Sequence, residues 1–106
     1  MTLLDDLKEY LRIDGDDENR SLAVFLQSAQ SYLENAGVQQ PSDFYLIVEG
    51  KDVFAQHRLA IMMLATHYYE NRVVYNSGKS GDGVPYGLQT LILQLKWVNP
   101  DELSAQ

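Results

Sequence analysis

The stretch LAIMMLATHYYENR, residues 59–72, decides the fold. Between Leu59 and Tyr69 apolar side chains recur on nearly every side of a helical projection, not along one stripe. A helix without a polar face has to be covered all round. In a chain of 106 residues, that makes it the central helix of a bundle or one whose cover is completed by another subunit. The spacing predicts a third helix from about Asp52 to Arg72 or slightly beyond.

Two helices are predicted before it. Thr2 is suited to cap the first, which places Leu3, Leu4, Leu7 and Leu11 on one face and stops before the acidic run DGDDE. Asp16 or Asp17 can cap the second, and Glu18 adds favourable charge near its N-terminus. There Leu22, Phe25, Leu26, Ala29, Leu33 and Ala36 recur at three- and four-residue steps, and Gly37 is a stop signal. Residues 38–51 are ambiguous. Pro41 breaks a helix, and residues 44–48 read as a short strand or as irregular packed chain. A lone strand would have no evident partner.

After the central helix comes NSGKSGDG, residues 76–83, with three of the seven glycines in the chain. A mobile loop is expected there. Pro85 suits the first position of a fourth helix, with Leu88, Leu91, Ile92 and Leu95 as its apolar stripe. Asn99-Pro100 ends it, and DELSAQ reads as a loose tail. The expectation is an all-α, single-domain bundle of about four helices with a long buried third helix.

Composition excludes several functions. The net charge is −7, the wrong sign for wrapping a nucleic-acid backbone or resting on an anionic membrane. With no cysteine, disulfides and thiolate metal sites are out. The start MTLLDDLKEYL lacks the basic end and apolar run of a signal peptide, and the run at residues 59–65 is too short for a bilayer. A soluble intracellular protein is expected.

The motifs that promise chemistry fail on inspection. Gly78-Lys79-Ser80 looks like the end of a phosphate-binding loop. That loop needs a glycine where Val73 stands, and a strand before it rather than a helix. A calcium loop starting at Asp14 would need Gly where Asn19 stands and an acid where Phe25 stands. His57 and His67 on one helix are roughly 80° apart in projection and about 15 Å along the axis, too far to share an ion. No cofactor or metal is expected, and no nucleophile–base–acid set suggests catalysis.

One segment is left, the helix end His67, Tyr68, Tyr69, Glu70, Asn71 and Arg72. From the residues alone it is an aromatic-rich terminus packed on the core, with Arg72 favouring the helix dipole and one turn from Tyr68 for stacking. Yet this end is paired with Pro85, Tyr86 and Gly87 opening a helix that carries Leu88 and Leu91. The opening LLDDLKEYLRID and the helix end YLENAG stand in order before it. In that order the chain resembles the head–tail connector, or head-completion adaptor, proteins of long-tailed bacteriophages. Proteins of this kind are often labelled as possible DNA-packaging proteins. The resemblance covers roughly residues 3–96, and residues 39–52 match it least.

The resemblance implies an α-helical viral protein that takes part in virion assembly. Such proteins form homo-oligomeric rings of about twelve subunits beneath the portal. There they extend the DNA channel and dock further head-completion or tail proteins. It implies a place at the head–tail junction of the virion, reached by assembly in the cytoplasm of the bacterial host, and it is compatible with a prophage origin. It makes Asn76, Ser77, Gly78, Lys79, Ser80, Gly81, Asp82 and Gly83 a variable docking loop rather than a nucleotide site. His67–Arg72 and Pro85–Leu91 become the family motif, with Glu70 and Arg72 as candidates for ion pairs between subunits or for capping within one. DNA would pass through a channel of negative potential without specific binding. Two competing classes are a small acidic helical binding or regulatory module, and an enzyme.

Overall fold

The computed structural model describes residues 2–72 and 86–104. Pro85 and the expected docking loop, residues 76–83, lie outside them. Five helices and one hairpin make up the described chain: α1 Leu3–Leu11, α2 Asn19–Asn35, β1 Ile47–Val48, β2 Lys51–Asp52, α3 Ala55–Glu70, α4 Tyr86–Leu95 and α5 Pro100–Ser104. The fold is mainly α-helical, as expected. Helix α3 packs against α1, α2 and α4 and is the central helix.

Local chemistry explains where the helices begin and end. The Thr2 hydroxyl accepts the Asp5 N–H at 3.1 Å, and the Asp5 carboxylate accepts the Thr2 N–H at 3.2 Å. This reciprocal box satisfies two donors that the first turn of α1 cannot bond internally. Helix α2 closes with the Val38 N–H on the Leu33 carbonyl and the Gly37 N–H on the Glu34 carbonyl, at 2.9 and 3.0 Å. That closure needs a left-handed residue, and Gly37 supplies it at φ 98°. The accompanying apolar contact is present, since Leu33 and Val38 are both buried in the core.

The core joins Leu7 of α1, Leu22, Leu26, Ala29 and Leu33 of α2, the middle of α3, and Leu88, Ile92 and Leu95 of α4. The predicted apolar faces therefore turn toward the core, with Leu3, Leu4, Leu11, Phe25, Ala36 and Leu91 partly buried at its margin. Ala60, Ile61, Leu64 and Ala65 are fully buried, but Leu59 is 44 % exposed. Within one chain the cover of α3 is therefore open at that position.

Four expectations are corrected. Residues 47–52 form an antiparallel hairpin in which Ile47 faces Asp52 and Val48 faces Lys51. The partner strand was only two residues away, across a turn in which Glu49 and Gly50 both have positive φ, 52° and 78°. Such turns match the twist of the strands they join. Because Lys51 and Asp52 are in that hairpin, α3 begins at Ala55, not near Asp52. The residue preceding α2 is Glu18, not Asp16 or Asp17, and its side chain makes no capping bond. Residues 100–104 are helical rather than loose. Pro100 is buried at the first position, and the Asn99 side-chain oxygen accepts the Asp101 N–H at 3.0 Å.

Candidate functional site

Two polar clusters anchor the ends of α3. At its C-terminus, the Tyr69 hydroxyl donates to the Glu18 carboxylate at 3.1 Å, and Arg72 Nη1 donates to the same group at 2.9 Å. The Arg72 guanidinium lies 5.0 Å from the centre of the Tyr69 ring. Arg72 therefore stacks on Tyr69 and not on Tyr68, the neighbour expected from sequence. Phe25 meets Tyr69 edge-on at 6.4 Å. Glu18 is thus occupied away from its own helix, which explains why it leaves the N-terminus of α2 uncapped. The Arg72 hydrogen bond holds the Glu18 carboxyl below its usual range, and the Glu18 hydrogen bond raises the Tyr69 phenol.

The remaining motif residues separate by role. The Asn71 side-chain amide donates to the His67 carbonyl at 2.8 Å and, with the Asn71 N–H, closes the last turn of α3. The His67 and Tyr68 rings lie 6.3 Å apart, and Glu70 points to solvent. Leu88 is a core residue, and a side-chain carbon at Gly87 would meet the Met63 methyl at 4.0 Å. Tyr86 opens α4.

The second cluster, at the N-terminus of α3, is one the sequence reading missed. Arg58 Nη1 donates to the Phe44 carbonyl at 2.6 Å and to Asp52 Oδ1 at 2.7 Å, and Nη2 donates to Asp52 Oδ2. Its Nε lies 3.8 Å from Asp6. The guanidinium stacks on Tyr45 at 4.9 Å, and the Tyr45 hydroxyl donates to Asp6 at 2.6 Å. One arginine thereby ties α3 to the hairpin, to the segment before it and to α1. The Arg58 hydrogen bonds hold Asp52 below the usual carboxylate range. Burial, then the Asp6 carboxylate, pushes the Tyr45 phenol far above its ordinary value. The only signal in the sequence was a lone arginine just before the apolar run of residues 59–65. Its partners Asp6 and Phe44 are too distant along the chain to be inferred.

Neither cluster is a metal centre. Among the described residues no group of three or more His, Asp or Glu could hold an ion. His57 is buried against Phe54, with ring centres 5.4 Å apart, and neither of its ring nitrogens has a hydrogen-bond partner among the described residues. Burial lowers its pKa from the ordinary 6.5. Among the described residues no helix is long and apolar enough to cross a membrane.

The surface carries apolar features instead. A shallow groove of about 320 Å³ is lined by Val24, Phe25, Ser28 and Tyr68. Another, of about 450 Å³, runs between α1 and α3 along Tyr10, Leu59 and Met62, with Asp6 and Glu9 beside them. On α4 and the turn after it, Leu93 is 60 % and Trp97 87 % exposed. Surfaces of this kind suit contact with other proteins rather than turnover of a small molecule.

Residues 1–96 match the family model described as phage gp6-like head-tail connector protein. No curated protein and no solved structure gave a significant match. The matched span takes in α1 to α4, the hairpin and both ends of α3. The chain belongs to the phage gp6-like head-tail connector family, and its role is that of a structural component joining head and tail proteins in the virion, not of an enzyme.

Proposed function

We propose that the protein forms a homo-oligomeric ring of about twelve subunits below the portal of a tailed phage, extends the DNA channel, and docks further head-completion or tail proteins. The observation that carries this reading is the family match over residues 1–96, which spans nearly the whole folded body. Residues 1–106 act as one connector domain, assembled in the host cytoplasm and encoded by a phage or a prophage. The net charge of −7 per subunit supports a passive channel. Repeated around a ring, it repels the DNA phosphates and lets DNA slide without sticking.

In this reading the His67–Arg72 corner anchors the end of α3 on Glu18, at the start of α2. Residues 76–83 are the docking segment. Glu70, exposed beside the corner, is the motif residue best placed to meet a neighbouring subunit. Leu88 and Leu91 hold α4 on α3 so that its outer face is presented.

The test is native mass spectrometry of the free protein over a range of concentrations, with electron microscopy of the protein added to purified portal. A ring-sized oligomer, free or on the portal, supports the reading. A monomer or dimer under both conditions overturns it in favour of a small acidic binding module.

A further inference from the structure

Trp97 is 87 % exposed and Leu93 60 %. They stand four residues apart on the outer side of α4 and the turn after it; Lys96, which precedes Trp97, is exposed but runs its stem past Gly37. An indole left in water forgoes the large apolar burial that makes tryptophan a common anchor of interfaces. The charge around it is unusual for this chain. Helix α4 and the turn after it, residues 86–99, contain one cation, Lys96, and no carboxylate, although the whole protein has 15 acidic and 8 basic residues; Asp101 and Glu102 follow in the next helix.

The opposite character is found between α1 and α3. The groove there offers apolar surface from Tyr10, Leu59 and Met62, with Tyr10 51 % and Leu59 44 % exposed. Its sides carry the carboxylates of Asp6 and Glu9 and the guanidinium of Arg58. Asp6 is already held by Tyr45 and Arg58, whereas Glu9 is exposed. A carboxylate there can accept the indole N–H and can face the Lys96 ammonium. The groove of Val24, Phe25, Ser28 and Tyr68 has no carboxylate to offer.

We propose that the Leu93–Trp97 knob of one subunit seats in the Tyr10–Leu59–Met62 groove of a second copy of this chain, with Lys96 facing Glu9. Knob and groove are different surfaces of one subunit, since no α4 residue lines the groove. The contact is therefore heterologous, and a heterologous contact with the right rotation closes into a ring rather than a two-fold dimer. Desolvating an apolar anchor there also offsets the mutual repulsion of acidic subunits. This inference rests on the ring reading above and names the contact that builds the ring.

The chain has no cysteine, so engineered pairs report without background. Three variants keep Trp97 and the apolar lining of the groove: Glu9→Cys, Lys96→Cys, and the two combined, which replace the proposed ion pair by a disulfide. Under mild oxidation the double variant is expected to give a ladder of covalent multimers. A mixture of the two single variants is expected to stop at a dimer, and each single variant alone to stay monomeric. In parallel, Trp97→Ala, which should fold because the side chain touches almost nothing, is expected to weaken self-association about thirtyfold. A ring that persists in Trp97→Ala, or a ladder from Lys96→Cys with Ser28→Cys instead of Glu9→Cys, overturns the contact while leaving the ring reading standing. Dimers from Lys96→Cys alone also overturn it, in favour of a two-fold contact. If the wild type forms no ring either free or on portal, both readings fall together.

Discussion

The two ends of α3 are built from the same parts and come out different. Arg58 and Arg72 each stack on a tyrosine and each bind a carboxylate from another element. Arg58 is 16 % exposed at its side chain and engages Asp52, Asp6, Tyr45 and the Phe44 carbonyl. Arg72 is 45 % exposed and engages Glu18 and Tyr69. The first lies inside the folded body, where a guanidinium with several fixed acceptors ties three segments together. The second lies at the surface, where water screens its ion pair. The difference separates a residue that holds the fold from one that orients a surface.

The sharpest break is at the part both ends share. Leu64 is fully buried midway along α3. Leu64→Asp is expected to abolish folding, because an unpaired buried carboxylate costs several kcal/mol, comparable with the whole stability of a small domain. Loss of the helical circular dichroism signal at neutral pH is the measurement.

Arg58→Ala comes next. It leaves the Phe44 carbonyl without its donor and Asp6 and Asp52 without their cation. The expected loss is about 2–3 kcal/mol, read by urea denaturation. Arg58→Lys is expected to recover only part of it, since an ammonium cannot reproduce the bidentate geometry at Asp52. An effect no larger than that of a surface substitution would mean that the hairpin and α1 are held by packing alone.

His57 sharpens the comparison through pH. Its folded pKa is lowered by burial, so the unfolded chain binds the proton more readily. Its contribution is complete well above the unfolded value of 6.5 and is lost as pH falls from there toward the folded pKa. Asp52 and Glu18 have depressed values, so their contributions are present above the ordinary carboxylate range and are lost only in stronger acid. His57→Leu is therefore expected to flatten the stability profile just below pH 6.5 and leave the more acidic limb in place. At neutral pH it should be neutral or slightly stabilising, because two unpaired ring nitrogens are removed. A profile identical to wild type below pH 6.5 would show that His57 has a partner in solution.

What the sequence disclosed follows from how local each signal is. The Thr2 cap, the Gly37 stop and the stripes of α2 and α4 each rest on residues close along the chain, and all were legible; that Asp5 returns the Thr2 bond was not read. The hairpin was missed because its turn, Glu49-Gly50, lacks the Asn-Gly or Asp-Gly pair that announces such turns. The helical turn at Pro100 carried a readable signal, an Asn before a Pro followed by acids, which was set aside as a tail. At the candidate site, Arg72 was legible as a helix end but its partner Glu18, 54 residues away, was not. Arg58 was passed over for the same reason. The exposed side of Leu59 could not be read either, since periodicity shows that a face is apolar and not what covers it.

A small effect on the fold is expected at Arg72, and it is the most informative. In Arg72→Ala the Tyr69 hydroxyl still reaches Glu18, Asn71 still closes the helix, and the core is untouched, so the thermal melt should move far less than in Arg58→Ala. One trace should remain in the subunit itself. Glu18 loses the hydrogen bond that contributes most to its lowered pKa, so its titration should move up toward the ordinary carboxylate range. Assembly should suffer more than folding. Without the stack on Tyr69 and the bond to Glu18, the end of α3 is held less firmly beside the start of α2, and a surface assigned to assembly is altered. The measurement pairs circular dichroism melting with ring formation on purified portal, seen by electron microscopy. A normal melt with impaired rings separates the two ends of α3 as argued. A melt as damaged as that of Arg58→Ala would make Arg72 a second internal tie and the two ends equivalent. A normal melt with normal rings would reduce the corner to a helix cap and leave the α4 knob as the feature on which assembly depends.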